Sequence, residues 1–209
     1  MRLFSHDLSD GEVIAERFCF GRRDAEQHVA LADNISPHLA WENIPDGAKS
    51  LALFCVDPDV PSKADDVNQA NREIPASLAR VDFYHWSLVD LGAEPGELAQ
   101  GACSSGITPR GKQHPSGPVG SRQGLNNYTD WFAGDADMSG RYFGYDGPCP
   151  PWNDAIVHRY VFRLYALDCE RLPVDDGFTG AEAEIAASQH SLDKAELIVT
   201  YTLNPRLAR

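Results

Sequence analysis

Four stretches of this chain carry strand-type patterning, and they lie far apart in sequence. Residues 159–167 (RYVFRLYAL) place Tyr160, Phe162, Leu164 and Ala166 on one face. Residues 196–203 (ELIVTYTL) repeat that pattern, 51–56 (LALFCV) form a short apolar run, and 83–91 (FYHWSLVDL) mix aromatic and β-branched residues. Composition and a period of two make these strands. A shorter run at 12–20 reads as one more. One helix stands out at 180–190 (GAEAEIAASQH), with Thr179 as its N-cap and Glu182 and Glu184 in its first turn. A second short helix is expected near 65–72. Strands joined by long loops, with helix mostly at the end, imply a mostly β, antiparallel chain rather than a βαβ series.

The loops carry as much information as the strands. Residues 101–158 are rich in proline and glycine and lack periodicity, yet they hold Tyr128, Trp131, Phe132, Tyr142, Phe143, Tyr145 and Trp152. Disordered tracts are poor in aromatics, so the long loops at 62–80 and 104–158 are expected to be packed and to cover something. No repeat or linker divides the chain, and a single domain over 1–209 is expected. Lys and Arg number 18 against 31 Asp and Glu, a net charge of −13. That balance argues against nucleic acid and against adhesion to an anionic membrane surface. The five cysteines are odd in number and show no CxxC spacing, which argues against a disulfide framework or a zinc knuckle. The opening lacks the basic head and apolar run of a signal peptide, and no run approaches a membrane span. A cytoplasmic chain with reduced thiols and no membrane span is expected.

Three places could hold chemistry. Asp57-Pro58-Asp59-Val60-Pro61 follows the run at 51–56, and two carboxylates two residues apart on a proline-stiffened loop can point into one cleft. The same residues also make an ordinary turn. His85 interrupts an apolar, aromatic strand; taken alone it reads as a core histidine, with Trp86 on the opposite face. Gly147-Pro148-Cys149-Pro150-Pro151 is a rigid loop whose glycine would let a ligand approach the backbone. Beyond it, His158 and Tyr160 alternate onto one side of the next strand. Those two could hold a phosphate or carboxylate, or simply pack. A metal set of His85, His158 and an Asp is conceivable, as is Cys149 as a nucleophile with His158 as its base. No nucleophile elbow, P-loop, dinucleotide fingerprint or HExxH motif is present.

Taken together and in order, DPDVP after a strand, a histidine in an aromatic strand, GPCPP and then HRYVFRLYALD resemble the phosphatidylethanolamine-binding protein (PEBP) family. NISPHLAW at 34–41 and HSL at 190–192 are similar to its prokaryotic YbhB/YbcL branch, the Raf-kinase-inhibitor-like proteins. The likeness runs from about residue 3 to 203. It implies a PEBP-like fold: a central antiparallel β-sheet packed on a smaller β-sheet, with peripheral helices. It also implies a small pocket for an anionic group such as a phospholipid phosphate, phosphate or acetate. The pocket residues it implies are Asp57, Asp59, His85, Gly147, Pro148, His158 and Tyr160. Tyr84 departs from many relatives, which carry histidine or tryptophan there. The segments 62–80 and 104–135 exceed those of the shortest bacterial members, and could lid the pocket or build a homodimer interface.

The expected function is therefore a binding protein for a small anion or phospholipid headgroup. His158, Tyr160 and backbone N–H groups near Gly147 would donate to the anion, and no cofactor or metal is implied. Two alternatives stay open. A hydrolase could use the same Asp/His cluster on a phosphoester or small ester, or the chain could sense a ligand and report it to a protein partner.

Overall fold

The computed structural model describes residues 1–208. Five strands form the main sheet: β5 (Ser50–Pro61), β6 (Arg80–Gly92), β8 (Arg122–Gln123), β9 (His158–Leu167) and β10 (Ser191–Tyr201). Their order is β10-β9-β5-β6-β8, and every pairing is antiparallel. A smaller sheet joins β1 (Arg2–Phe4), β4 (Leu39–Glu42) and β7 (Gly96–Leu98), and β2 (Gly21–Asp24) pairs with β3 (His28–Leu31). The fold is thus mostly β, with a central antiparallel sheet, a smaller sheet and short helices at the periphery.

The central strand β5 explains its own sequence. Leu51, Leu53 and Cys55 pack with Leu39, Trp41 and Leu98 of the small sheet. Ala52, Phe54 and Val56 pack on the other face with Ala183 and Ala187 of helix α2 (Gly180–Gln189). A strand buried on both faces reads as a continuous apolar run rather than an alternation. Helix α2 begins where Thr179 and Glu182 form a reciprocal capping box, worth about 1 kcal/mol. Glu184 anchors the helix to the sheet by accepting from Tyr84 and Tyr165 hydroxyls at 2.7 and 2.9 Å and pairing with Arg163 at 2.9 Å. Tyr84 therefore serves the helix-covered face.

Two local expectations fail. Residues 12–20 form no strand: Val13 makes a single bridge to Thr200, and Glu16–Phe18 is a 3-10 turn that drives Phe18 into the core. Residues 65–72 form turns, not a helix. Asn68 and Asn71 take left-handed backbone conformations, and the buried Asn153 side chain donates to the carbonyls of Asp66, Gln69 and Arg72. The Asp66 and Gln69 carbonyls accept only three-residue turn bonds along the chain, from Gln69 and Arg72 N–H at 3.3 Å, and Asn153 completes them from across it. Among the described residues, no helix is long and apolar enough to cross a membrane.

Candidate functional site

Strand register builds the site. Along β5 and β6, Cys55 faces Trp86 while Val56 faces Tyr84, so His85 is the extra residue of a bulge. Simple alternation would send Trp86 to the face opposite His85, and the bulge cancels it. The His85 ring packs on Tyr160 with centroids 5.2 Å apart, and Trp86 packs on Tyr145; Tyr160, Trp86 and Tyr145 all belong to the core between the sheets. His85 Nδ1 lies 2.8 Å from the Asp146 carbonyl oxygen. A carbonyl only accepts, so Nδ1 carries the proton and Nε2 of the neutral ring is an acceptor. Burial holds the His85 pKa below its ordinary value, although the Asp57 carboxylate pulls it upward. That lowering favours the neutral ring at pH 7.

A second register shift, between Asp57 and Val60, separates the two carboxylates. Asp57 Oδ1 accepts the Asp59 N–H at 2.8 Å and Asp57 Oδ2 accepts from His158 Nδ1 at 2.8 Å. Asp59 turns outward to the Arg159 guanidinium, with Nε and Nη2 both at 2.8 Å, and also accepts the Arg159 N–H at 3.0 Å. The expected single cleft for both acids is corrected: the carboxylates diverge because the Asp59 N–H folds back onto Asp57. His158 is fully buried, and its Nε2 donates to Asp154 Oδ2 at 3.1 Å. Burial alone would lower its pKa, but Asp57 and Asp154 outweigh burial and lift it to about 9. Arg80 closes the series on Asp154 at 2.5 and 3.0 Å. Charge thus alternates from Asp57 through His158 and Asp154 to Arg80.

A cavity of about 230 Å³ opens beside this array. Its polar side chains include Asp57, His85 and Tyr160; its walls are Phe20, Phe83, Tyr128, Phe132, Cys149, Pro150 and Pro151. The Tyr160 hydroxyl is buried with no hydrogen-bond partner. Leu31 and Trp131, 59% and 47% exposed, form an apolar rim. The long loops wall the cavity too: Ala64, Val67 and Asn68 come from the segment after β5, and Tyr128, Trp131 and Phe132 from helix α1 (Tyr128–Trp131) and its end. Among the described residues, no lysine or arginine lines it.

Of the seven residues singled out in the sequence, Asp57, His85 and Tyr160 line the cavity, while Asp59, His158, Gly147 and Pro148 stand behind it. Gly147 N–H donates to Asn34 Oδ1 at 2.8 Å, and the Gly147 carbonyl accepts the Tyr128 hydroxyl at 2.8 Å. A Cβ on Gly147 would lie 2.0 Å from the Phe18 carbonyl oxygen, so this glycine admits the chain's own backbone rather than a ligand. Pro148 offers its carbonyl to Phe20 and Gly21 N–H. The expectation that His158 and the Gly147 amide donate to a ligand is therefore corrected, because both already have protein acceptors. His158 is likewise no base for Cys149, whose thiol burial pushes up to about 12. Nor do both histidines converge on a metal: His158 uses both nitrogens on carboxylates. A wider groove of about 510 Å³ runs past Arg122 and Arg141. Arg122 there is already bound to Asp90 and to the Val174 and Leu172 carbonyls.

Sequence reading missed the group that holds His85 in place. Asp146 is buried, with Lys112 Nζ at 2.5 Å and the Asn34 and Asn126 amides at 2.7 and 2.9 Å. Burial raises its pKa, with Lys112 opposing. Its own backbone carbonyl fixes the His85 tautomer. These partners are scattered from 34 to 126, and only the place of Asp146 directly before Gly147 hints at its role.

Comparison with known proteins agrees with the fold. Residues 4–202 match the family model described as phosphatidylethanolamine-binding protein. The chain is 33% identical to YbhB of Escherichia coli over 202 residues, covering 97% of this chain and 100% of that one. A protein of Methanothermobacter thermautotrophicus is also 33% identical, covering 96% and 98%. The crystal structure of E. coli YbcL, described as a member of the mammalian PEBP family, superposes with a TM-score of 0.69 at 26% identity over 96% and 97% of the two chains. With nearly its whole length matched and its sheets arranged alike, the chain belongs to the phosphatidylethanolamine-binding protein family, in its YbhB/YbcL branch.

Proposed function

We propose that the chain is a ligand-binding protein whose cavity receives a small oxyacid group of the phosphate type, with any apolar substituent lying against the Leu31–Trp131 rim. The observation that carries this reading is the Tyr160 hydroxyl, a buried donor without a partner at a cavity that also presents His85 and Asp57. An unmet buried hydroxyl costs stability unless a ligand completes it. Family membership supports the same chemistry. The cavity thiol of Cys149, pushed up by burial, works against covalent catalysis, so binding takes precedence over a hydrolytic role.

Thermal melts test the reading. Millimolar phosphorylethanolamine or inorganic phosphate should raise the melting temperature by mass action, and His85→Ala should abolish the rise. An unchanged melting temperature with both ligands would contradict it.

A further inference from the structure

Charge within the cavity is ill suited to a bare anion. Asp57 presents a carboxylate that accepts from Asp59 N–H and His158, and no lysine or arginine lines the walls among the described residues. His85 directs its proton to the Asp146 carbonyl, which leaves Nε2 as a lone pair. Nε2 has no hydrogen bond of good geometry among the described residues, although the Gly147 carbonyl also lies close to the ring and favours its protonated form. An ionised phosphate oxygen brought to Nε2 would meet acceptor against acceptor beside a carboxylate. The nearby imidazolium of His158 is neutralised by the two carboxylates it touches.

Resting on the proposed function, we infer that the pocket takes its oxyacid together with one proton. That proton lies in the hydrogen bond between a ligand oxygen and His85 Nε2. The balance is simple: solvent supplies H⁺, the ligand keeps its ionised oxygen, and His85 becomes doubly protonated between that oxygen and the Asp146 carbonyl. The groups facing His85 are Asp57 from β5, His158 and Tyr160 from β9, Tyr128 from α1, and the carbonyls of Asp146 and Gly147 in the loop before Cys149. Burial opposes the added proton most strongly and His158 adds to that, while Asp57 and the Asp146 and Gly147 carbonyls favour it, so the ligand's ionised oxygen must tip the balance. Binding therefore strengthens as pH falls, whether the proton reaches His85 from the ligand or from solvent. A phosphate monoester can carry its own proton, whereas a phosphodiester headgroup cannot, so for the diester the proton must come to His85 from solvent.

Calorimetry in buffers of different ionisation enthalpy at pH 8 reads the proton uptake directly. The probes are phosphorylethanolamine, inorganic phosphate and glycerophosphorylethanolamine, the diester headgroup without acyl chains. About one proton per ligand is expected, with the Kd rising about tenfold per pH unit from 7 to 8.5. Preference for the diester would mark a lipid headgroup as the source, and preference for the others a free phosphate compound. His85→Gln supplies a permanent N–H donor that does not titrate, so it should still bind, with uptake falling to near zero. Wild-type binding with no proton uptake and a flat Kd overturns this inference and leaves the binding function intact. Absence of binding by all three probes from pH 5.5 to 8.5 overturns both.

Discussion

Replacing Tyr160 by phenylalanine should stabilise the free protein and weaken its ligand. The ring belongs to the core between the two sheets and packs on His85, and phenylalanine keeps those contacts. What is lost is one hydroxyl, fully buried and without a partner. Burying an unsatisfied polar group costs about 1–3 kcal/mol. Taking the lower end, Tyr160→Phe should gain about 1 kcal/mol, or about 2–4 °C in melting temperature for a chain of this size. With phosphate bound, that hydroxyl donates to a charged oxygen, a bond worth about 1.5–3 kcal/mol. Affinity should therefore fall about tenfold to a hundredfold. Calorimetric melts with and without ligand give both quantities from one sample series. A variant that melts lower than wild type, or that binds phosphate equally well, would refute the reasoning, since the hydroxyl would then be satisfied in the free protein.

The remaining expectations concern the charges behind the cavity. The folded pKa of His158, about 9, exceeds the ordinary value of 6.5. Its contribution is therefore complete below pH 6.5 and is lost as pH rises through 9. Urea melts should show stability falling by about 2 kcal/mol from pH 6.5 to 8.5, and a flat or rising curve would contradict the imidazolium between Asp57 and Asp154. Lys112→Met leaves the Asp146 carboxylate buried without its cation. It should cost about 3–5 kcal/mol at pH 7, with part recovered in acid as Asp146 protonates. A loss of the size seen at an exposed lysine would show that the pair carries little.

Much of the fold was legible because it rests on patterns that are local. The Tyr160-to-Ala166 alternation survives as one face of β9, and the Thr179 cap starts α2. Failures came where distant chain supplied the hydrogen bonds: Asn153 holds the 66–72 segment in turns, and the packing of Phe18 replaces a strand at 12–20. The site divides along the same line. Motif order drew attention to Asp57, His85 and Tyr160, but two register shifts decide where each side chain goes, and single-strand periodicity carries no trace of either. Lys112, Asn126 and Asn34 converge on Asp146 only in three dimensions. The aromatic wealth of the long loops did signal their role, since Tyr128, Trp131 and Phe132 wall the cavity.

Long-range ¹⁵N–¹H spectra of the histidine rings test the central claim most directly. In the free protein at pH 7, His85 should appear as the Nδ1–H tautomer and His158 as the doubly protonated ring. Addition of phosphorylethanolamine should move the His85 Nε2 resonance to that of a protonated nitrogen and leave His158 unchanged. Saturable binding that shifts neither ring nitrogen of His85 would place the ligand elsewhere and contradict a cavity built around Asp57, His85 and Tyr160, whereas a shifted but unprotonated Nε2 would overturn the proton uptake alone.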